Sequence, residues 1–190
     1  IQMLGLMRDF DGLQEAIVSL GDVLRYSLNG EREVAITSEI ENIESYFRLL
    51  KLRYRERLDY SIVCEDDFTQ YKMLKFILQP LVENAVKHGF ETAEDKCRID
   101  IRIKEFNDGL VLVVHDTGSG IEPERLEKIQ AILGGEPDDE GFVGIGLKNI
   151  NDRIKLYYGS RYGVMIKSEY GVKTDVMVHI PICFRGDENV

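Results

Sequence analysis

Tryptophan is absent from the chain, and 190 residues hold only three cysteines, three histidines and four prolines. Cys64, Cys97 and Cys183 lie far apart with no CxxC spacing. A zinc or disulfide framework is therefore not expected, and idle thiols in a reducing compartment fit the pattern. No apolar run approaches the ~20 residues of a membrane span, and no signal peptide is visible. Positive charge is scarce as well: Lys and Arg total 24 against 34 Asp and Glu, a net charge of −10. Such a surface opposes nucleic acid and anionic lipid, but not one nucleotide in a local pocket. Repeats and low-complexity segments are missing too. What is present is a hydrophobic fraction of 44%, enough for a real core, over a length that suits one medium domain with a helical extension. The chain opens on Ile1-Gln2-Met3-Leu4, which suggests a piece of a longer protein.

Periodicity divides the chain into two parts. Leu13, Ile17, Leu20, Leu24 and Leu28 recur at helical spacing, and Asn29-Gly30 stops the helix. Ser38 and Glu41 predict a capping box for a second helix with Ile40, Ile43, Phe47, Leu50 and Tyr54 on one face. Two amphipathic helices joined by a turn predict a hairpin, whose stripes serve either as core or as a dimer face. From Leu58 the character changes. Leu58 to Cys64 alternates as a strand, and a helix is predicted around Lys75 to His88. Ile99, Ile101 and Ile103 alternate before a turn at Asn107-Asp108-Gly109, and Leu110 to His115 runs back. A glycine-rich loop spans Gly118 to Gly146, followed by a helix from Leu147 to Tyr157 and a hairpin of Val164–Ser168 with Val176–Ile180. The expected class is α+β, with helices on one face of the sheet.

Three segments carry chemistry. In Gln79-Pro80-Leu81-Val82-Glu83-Asn84-Ala85-Val86-Lys87-His88-Gly89, Asn84 and Lys87 share a helix face. An amide oxygen is a hard ligand suited to magnesium, and a lysine beside it pairs with phosphate. An ordinary amphipathic helix with a polar stripe reads the same way. In His115-Asp116-Thr117-Gly118-Ser119-Gly120, a carboxylate at a strand end can accept from the exocyclic amine of adenine, while Gly118 and Gly120 let backbone approach a flat ring. A tight turn after a strand accounts for this segment equally well. In Gly141-Phe142-Val143-Gly144-Ile145-Gly146-Leu147, a loop meets a helix start, where free N–H groups attract anions.

Taken in order, the three segments resemble the N box and the two glycine boxes of the GHKL, or Bergerat, ATP-binding fold, over residues from about 70 to 182. The resemblance implies a two-layer α/β sandwich of that type with an N-terminal helical extension, and ATP and Mg2+ as ligands. It implies that Asn84 binds magnesium, that Asp116 recognises adenine, and that Gly144, Gly146 and Leu147 frame the phosphates, with 122–143 as a mobile lid. Thr174 stands where the family often places a threonine near adenine, although Lys173 replaces the usual preceding glycine.

In the gyrase-like branch a glutamate four residues before the magnesium asparagine activates water. Here that position is Pro80, which cannot act as a base. The spelling from Gln79 to Gly89 resembles LytS/YesM-like sensor histidine kinases instead. So do Leu24-Arg25-Tyr26-Ser27-Leu28, Leu50-Lys51-Leu52-Arg53-Tyr54, Gly146-Leu147-Lys148-Asn149-Ile150, Arg153 and Tyr158-Gly159. That family implies Glu83 near the γ-phosphate or the acceptor histidine, with Lys87 and His88 beside it. It further implies a dimerisation and phosphotransfer region over 1–56 and an ATP-binding catalytic domain over 57–190. Expected partners are a response regulator receiver domain and a second copy in the full-length protein, with membrane attachment only through preceding regions. The family's Asn-Pro-His-Phe acceptor motif is not in this sequence, and His88, His115 and His179 all fall outside the hairpin helices. His179 alternates with Val178 and Ile180, which predicts a solvated sheet residue. A nucleotide-sensing interaction module without kinase activity and a serine kinase of the anti-sigma-factor type are the competing readings.

Overall fold

A computed structural model describes residues 10–90, 96–138, 145–184 and 186. In chain order the elements are α1 (Phe10–Leu28), β1 (Glu33–Ala35), α2 (Ile36–Tyr54), a 3-10 turn (Arg55–Arg57), β2 (Leu58–Cys64), β3 (Lys72–Leu74), α3 (Leu78–Gly89), β4 (Cys97–Phe106), β5 (Gly109–Asp116), α4 (Pro123–Gly134), α5 (Ile145–Tyr158), β6 (Gly163–Glu169) and β7 (Lys173–Pro181). The main sheet has the order β2-β4-β5-β7-β6; β2 and β4 run parallel and the other neighbours antiparallel.

Period-two alternation sends one set of side chains to a single face. Ile99, Ile101, Ile103, Leu110, Leu112, Val178 and Ile180 are fully buried there. Leu78, Leu81 and Val82 of α3, Ile129 and Leu133 of α4, and Leu147, Ile150 and Ile154 of α5 pack against them as one cluster. This is the expected α+β arrangement of helices on one face of a sheet.

Three local expectations are corrected. The second helix starts at Ile36 rather than Ser38, and Ala35 provides no side-chain cap, so the Ser38–Glu41 box does not form. Strand β1 leads straight into the helix, and the Ile36 N–H donates to Tyr71 O at 3.1 Å. Over its described part, 122–138, the expected lid is not simply a loop, because α4 fills 123–134 with Ile129 and Leu133 in the core; 139–143 lie outside the described residues. Pro123 in its first turn and Gly135 at φ 126° just past its end mark its limits. His179 is only partly solvated: the residue is half-buried and its Nε2 is enclosed, with the Tyr162 ring at a centroid distance of 5.1 Å. A two-stranded sheet of β1 with β3, which the sequence pattern does not predict, pairs Glu33 with Leu74 and Ala35 with Lys72. Three-residue strands are too short for alternation to reveal.

The hairpin helices bury unequal faces. Ile43 and Phe47 of α2 are 0% exposed and belong to the same cluster as the sheet. On α1 only Ala16 and Ser19 are buried, and Ile17, Leu20, Leu24 and Leu28 face outward.

Candidate nucleotide site

Helix α3 presents Leu78, Leu81, Val82, Ala85 and Val86 to the core, which leaves Pro80, Asn84 and His88, each four residues apart, on a more exposed flank. Both ends of that flank touch a glycine segment. At the start, a Cβ on Gly146 would stand 3.7 Å from Pro80 Cβ. At the end, a Cβ on Gly118 would stand 3.0 Å from His88 O and 3.1 Å from Gly89 Cα. Asn84 therefore lies between the two glycine segments in space, although they are far apart in sequence. Gly144 lies outside the described residues. Leu147 is buried in the core, so only its backbone is free to meet a ligand.

Asp116 closes β5 and is buried. Its Oδ1 accepts the Gly118 N–H at 2.9 Å, and its Oδ2 takes no hydrogen bond from the described residues. Burial pushes its carboxyl up to about 6, against that bond and the neighbouring His115, both of which lower it. A buried carboxylate with one oxygen tied and one unused is built to receive a donor. Only glycine fits at 118, where a Cβ would stand 2.8 Å from Asp116 Oδ1. Gly120 sits at φ 66° with Glu169 O 2.2 Å from where a Cβ would go, so it too must be glycine. The Gly171 N–H donates to Ser119 O at 2.7 Å and staples this loop to the turn between β6 and β7.

Thr174 pairs with Asp116 across β5 and β7 and is buried. Ser168 Oγ donates to Lys173 O at 2.8 Å, so at the 3.0 Å contact with Ser168 it is Thr174 that donates. Ser168 Oγ also accepts the Ile121 N–H at 2.9 Å. Lys173, in the place of the family's glycine, contributes through its backbone.

Glu83 belongs to a different flank. It accepts from Gln79 Nε2 at 2.9 Å, and Gln79 Oε1 accepts from Asn42 Nδ2 of α2 at 3.2 Å. Burial, and Glu83 next, push the Tyr46 hydroxyl of α2 up to about 12. Glu83 thus faces the hairpin, while Lys87 is exposed and His88 half-buried on the neighbouring turn. Among the described residues no group of three or more His, Cys, Asp and Glu could hold a metal ion.

The family model described as histidine kinase-, DNA gyrase B- and HSP90-like ATPase matches residues 69–183. The chain belongs to this ATPase family. A second model, described as histidine kinase, matches residues 1–58. Among curated relatives of this family member, the sensor histidine kinase YesM of Bacillus subtilis is 32% identical over 89% of the chain and 28% of its own length. A sensor protein LytS of Staphylococcus haemolyticus is 30% identical over 91% of the chain and 29% of its own length. The chain therefore spans under a third of the length of these relatives. The histidine kinase domain of a blue-light activated histidine kinase from Erythrobacter litoralis shares the fold, with a TM-score of 0.54 and 14% identity over 95% of this chain and 85% of that one. The catalytic domain of histidine kinase ThkA gives 0.51 at 20% identity, over 77% and 92%. Among the described residues no helix is long and apolar enough to cross a membrane.

One group has no counterpart in the sequence reading. Glu39 of α2 is 0% exposed, and it accepts the N–H groups of Phe76, Ile77 and Leu78 at the start of α3 at 3.0, 2.9 and 3.0 Å. It also accepts the Tyr26 hydroxyl of α1. Burial pushes its carboxyl above the ordinary range, against these four bonds. The available signal was a carboxylate in the apolar row formed by Ile36 and Ile43.

Proposed function

We propose that this chain is the ATP-binding catalytic part, with part of the dimerisation hairpin, of a bacterial two-component sensor histidine kinase. The observation that carries the reading is Asp116, a buried carboxylate with one oxygen held by Gly118 and the other unused, beside a loop that admits no Cβ. That combination suits a flat base with an exocyclic amine at C6, where adenine carries one and guanine shows a carbonyl.

Asn84 would hold magnesium, which supplies charge neutralisation at the phosphates. Lys87 adds a point charge on the same helix, and Gly144, Gly146 and Leu147 are assigned to the phosphates, the last two through backbone N–H groups in the first turn of α5. Thr174 and the backbone at Gly118 and Gly120 form the wall next to the base. Glu83, Lys87 and His88 are assigned to the transfer step, Glu83 on the side turned to the hairpin. The γ-phosphoryl group moves to a histidine nitrogen as ADP leaves, and then to an aspartate carboxylate of a response regulator receiver domain. Protein groups contribute position and charge rather than covalent chemistry. The outward stripe of α1 suits a second copy in the full-length protein, whose membrane attachment would come from other regions.

Calorimetric titration with a non-hydrolysable ATP analogue, with and without magnesium, tests the reading. Asp116→Asn is expected to weaken binding about 100-fold. The Gly118 N–H claims the amide oxygen, which leaves the amide NH2 facing the adenine amine, donor against donor. Asn84→Ala is expected to bind weakly and to lose its response to magnesium. Absence of binding by a folded wild-type chain at millimolar nucleotide returns the advantage to the interaction-module reading.

A further inference from the structure

The hairpin and the catalytic lobe cap each other's helices. Glu39 takes the first free N–H groups of α3, which has no side-chain cap of its own. In return Lys75, 4% exposed, places its ammonium on Ser27 O and Asn29 O at the end of α1. The same ammonium lies 4.8 Å from the ring centre of Tyr26 and 4.9 Å from that of Phe76, and the two rings meet edge to face at 5.3 Å. Between Lys75 and the helix, Phe76 sits at φ 58°, a conformation that a bulky residue holds only under constraint. The constraint also comes from α5, where Arg153 donates to Lys75 O at 2.6 Å. The turn that launches α3 is therefore gripped from both sides, and Tyr26 is the α1 side chain that bonds to the cap.

We propose that Glu39 and Tyr26 are positioning residues, which set the nucleotide-binding helix from the hairpin, so that a displacement of α1 is transmitted to Asn84 through the cap. The proposal rests on the nucleotide reading above for its functional consequence, but its mechanical part does not. A cap on one rigid helix orients every residue along it, and Asn84 and Lys87 stand about 1.7 and 2.5 turns from the capped end. Breaking a contact on α1 should then be felt in a helix that α1 does not form.

The test compares Tyr26→Phe and Glu39→Gln with Ile43→Val, a small core deletion one turn further along α2 that lowers stability and leaves the hydrogen-bonding groups of the cap in place. Two readouts are taken on the whole chain: hydrogen exchange of the 76–89 amides without ligand, and the dissociation constant for an ATP analogue. Tyr26→Phe and Glu39→Gln are expected to raise exchange in 76–89 about tenfold and weaken nucleotide by about the same factor, one charged hydrogen bond's worth. Ile43→Val is expected to lower the melting temperature and leave both readouts in place. The proposal is overturned if exchange in 76–89 is unchanged in the two joint variants, or if Ile43→Val raises it equally. Lack of nucleotide binding by the wild type overturns the nucleotide reading alone, since exchange still decides whether the cap positions the helix.

Discussion

Helices α1 and α2 have the same length, 19 residues, and each carries an apolar stripe at the same spacing. Their stripes meet opposite fates. Leu24 and Leu28 of α1 are 52% and 85% exposed, whereas Ile43 and Phe47 of α2 are 0% exposed. The α2 stripe is sealed by the sheet and its helices, with the Phe47 ring stacked on Tyr60 at 4.2 Å. The α1 stripe faces away, because α1 meets α2 through the small residues Ala16 and Ser19 and is tied down by polar groups at Tyr26 and Lys75. Periodicity thus declares that a face is apolar; what covers it depends on where the rest of the chain lies.

The comparison breaks most visibly at Phe47. Phe47→Ala removes a fully buried ring shared by hairpin and lobe, and is expected to cost about 4 kcal/mol. In a urea titration its midpoint should fall well below that of the wild type with the slope kept. A loss under about 1 kcal/mol would mean that α2 is not part of the lobe's core.

Much of this was legible in the sequence, and the limits have physical causes. The strand Leu58–Cys64 follows from alternation and the strand over Leu110 to His115 from an apolar run after a turn, and Gly118 lies against Asp116 and the end of the helix that carries Asn84. Helix α4 was readable from Leu126, Ile129 and Leu133 with Pro123 ahead of them, but glycines on either side made the stretch look like one loop. The Glu39 cap was harder to find, because it joins α2 to α3 across 37 to 39 residues and no local pattern encodes that distance. A buried carboxylate is the kind of group for which sequence gives the location but not the partner.

Carboxylates sharpen the same contrast at smaller size. The Asp116 carboxyl, raised by burial to about 6, binds a proton more tightly in the folded state than in the unfolded chain. Its stabilising contribution is full below its ordinary value of 3.8 and is lost as pH rises through about 6. At pH 7 the ligand-free Asp116→Asn variant should therefore be more stable than the wild type by about 2 kcal/mol, with the gap closing between pH 6 and pH 4. Asp22, paired with Arg25 at 3.0 Å on the surface of α1, gives the counterpart. Asp22→Asn should move stability by about 0.5 kcal/mol or less. Denaturant melts of both variants from pH 4 to 8 check the pair, and equal pH profiles would remove the distinction between lobe and hairpin.

Effects below about 1 kcal/mol are expected where the hairpin is least constrained. Gly21 lies within α1, and a Cβ there would meet nothing within 4 Å. A glycine inside a helix loses more chain entropy on folding than alanine does, so Gly21→Ala should stabilise the hairpin by about 0.8 kcal/mol. Gly118, crowded by Asp116 and His88, has no room for the same change. Leu24→Ala on the exposed stripe should fall within about 0.5 kcal/mol of the wild type at concentrations where the chain is a single copy. The two α1 variants distinguish a free face from a covered one. If Leu24→Ala loses several times that amount, and the loss grows with protein concentration, then α1 is already sealed by a second copy and its stripe is as much a core as that of α2.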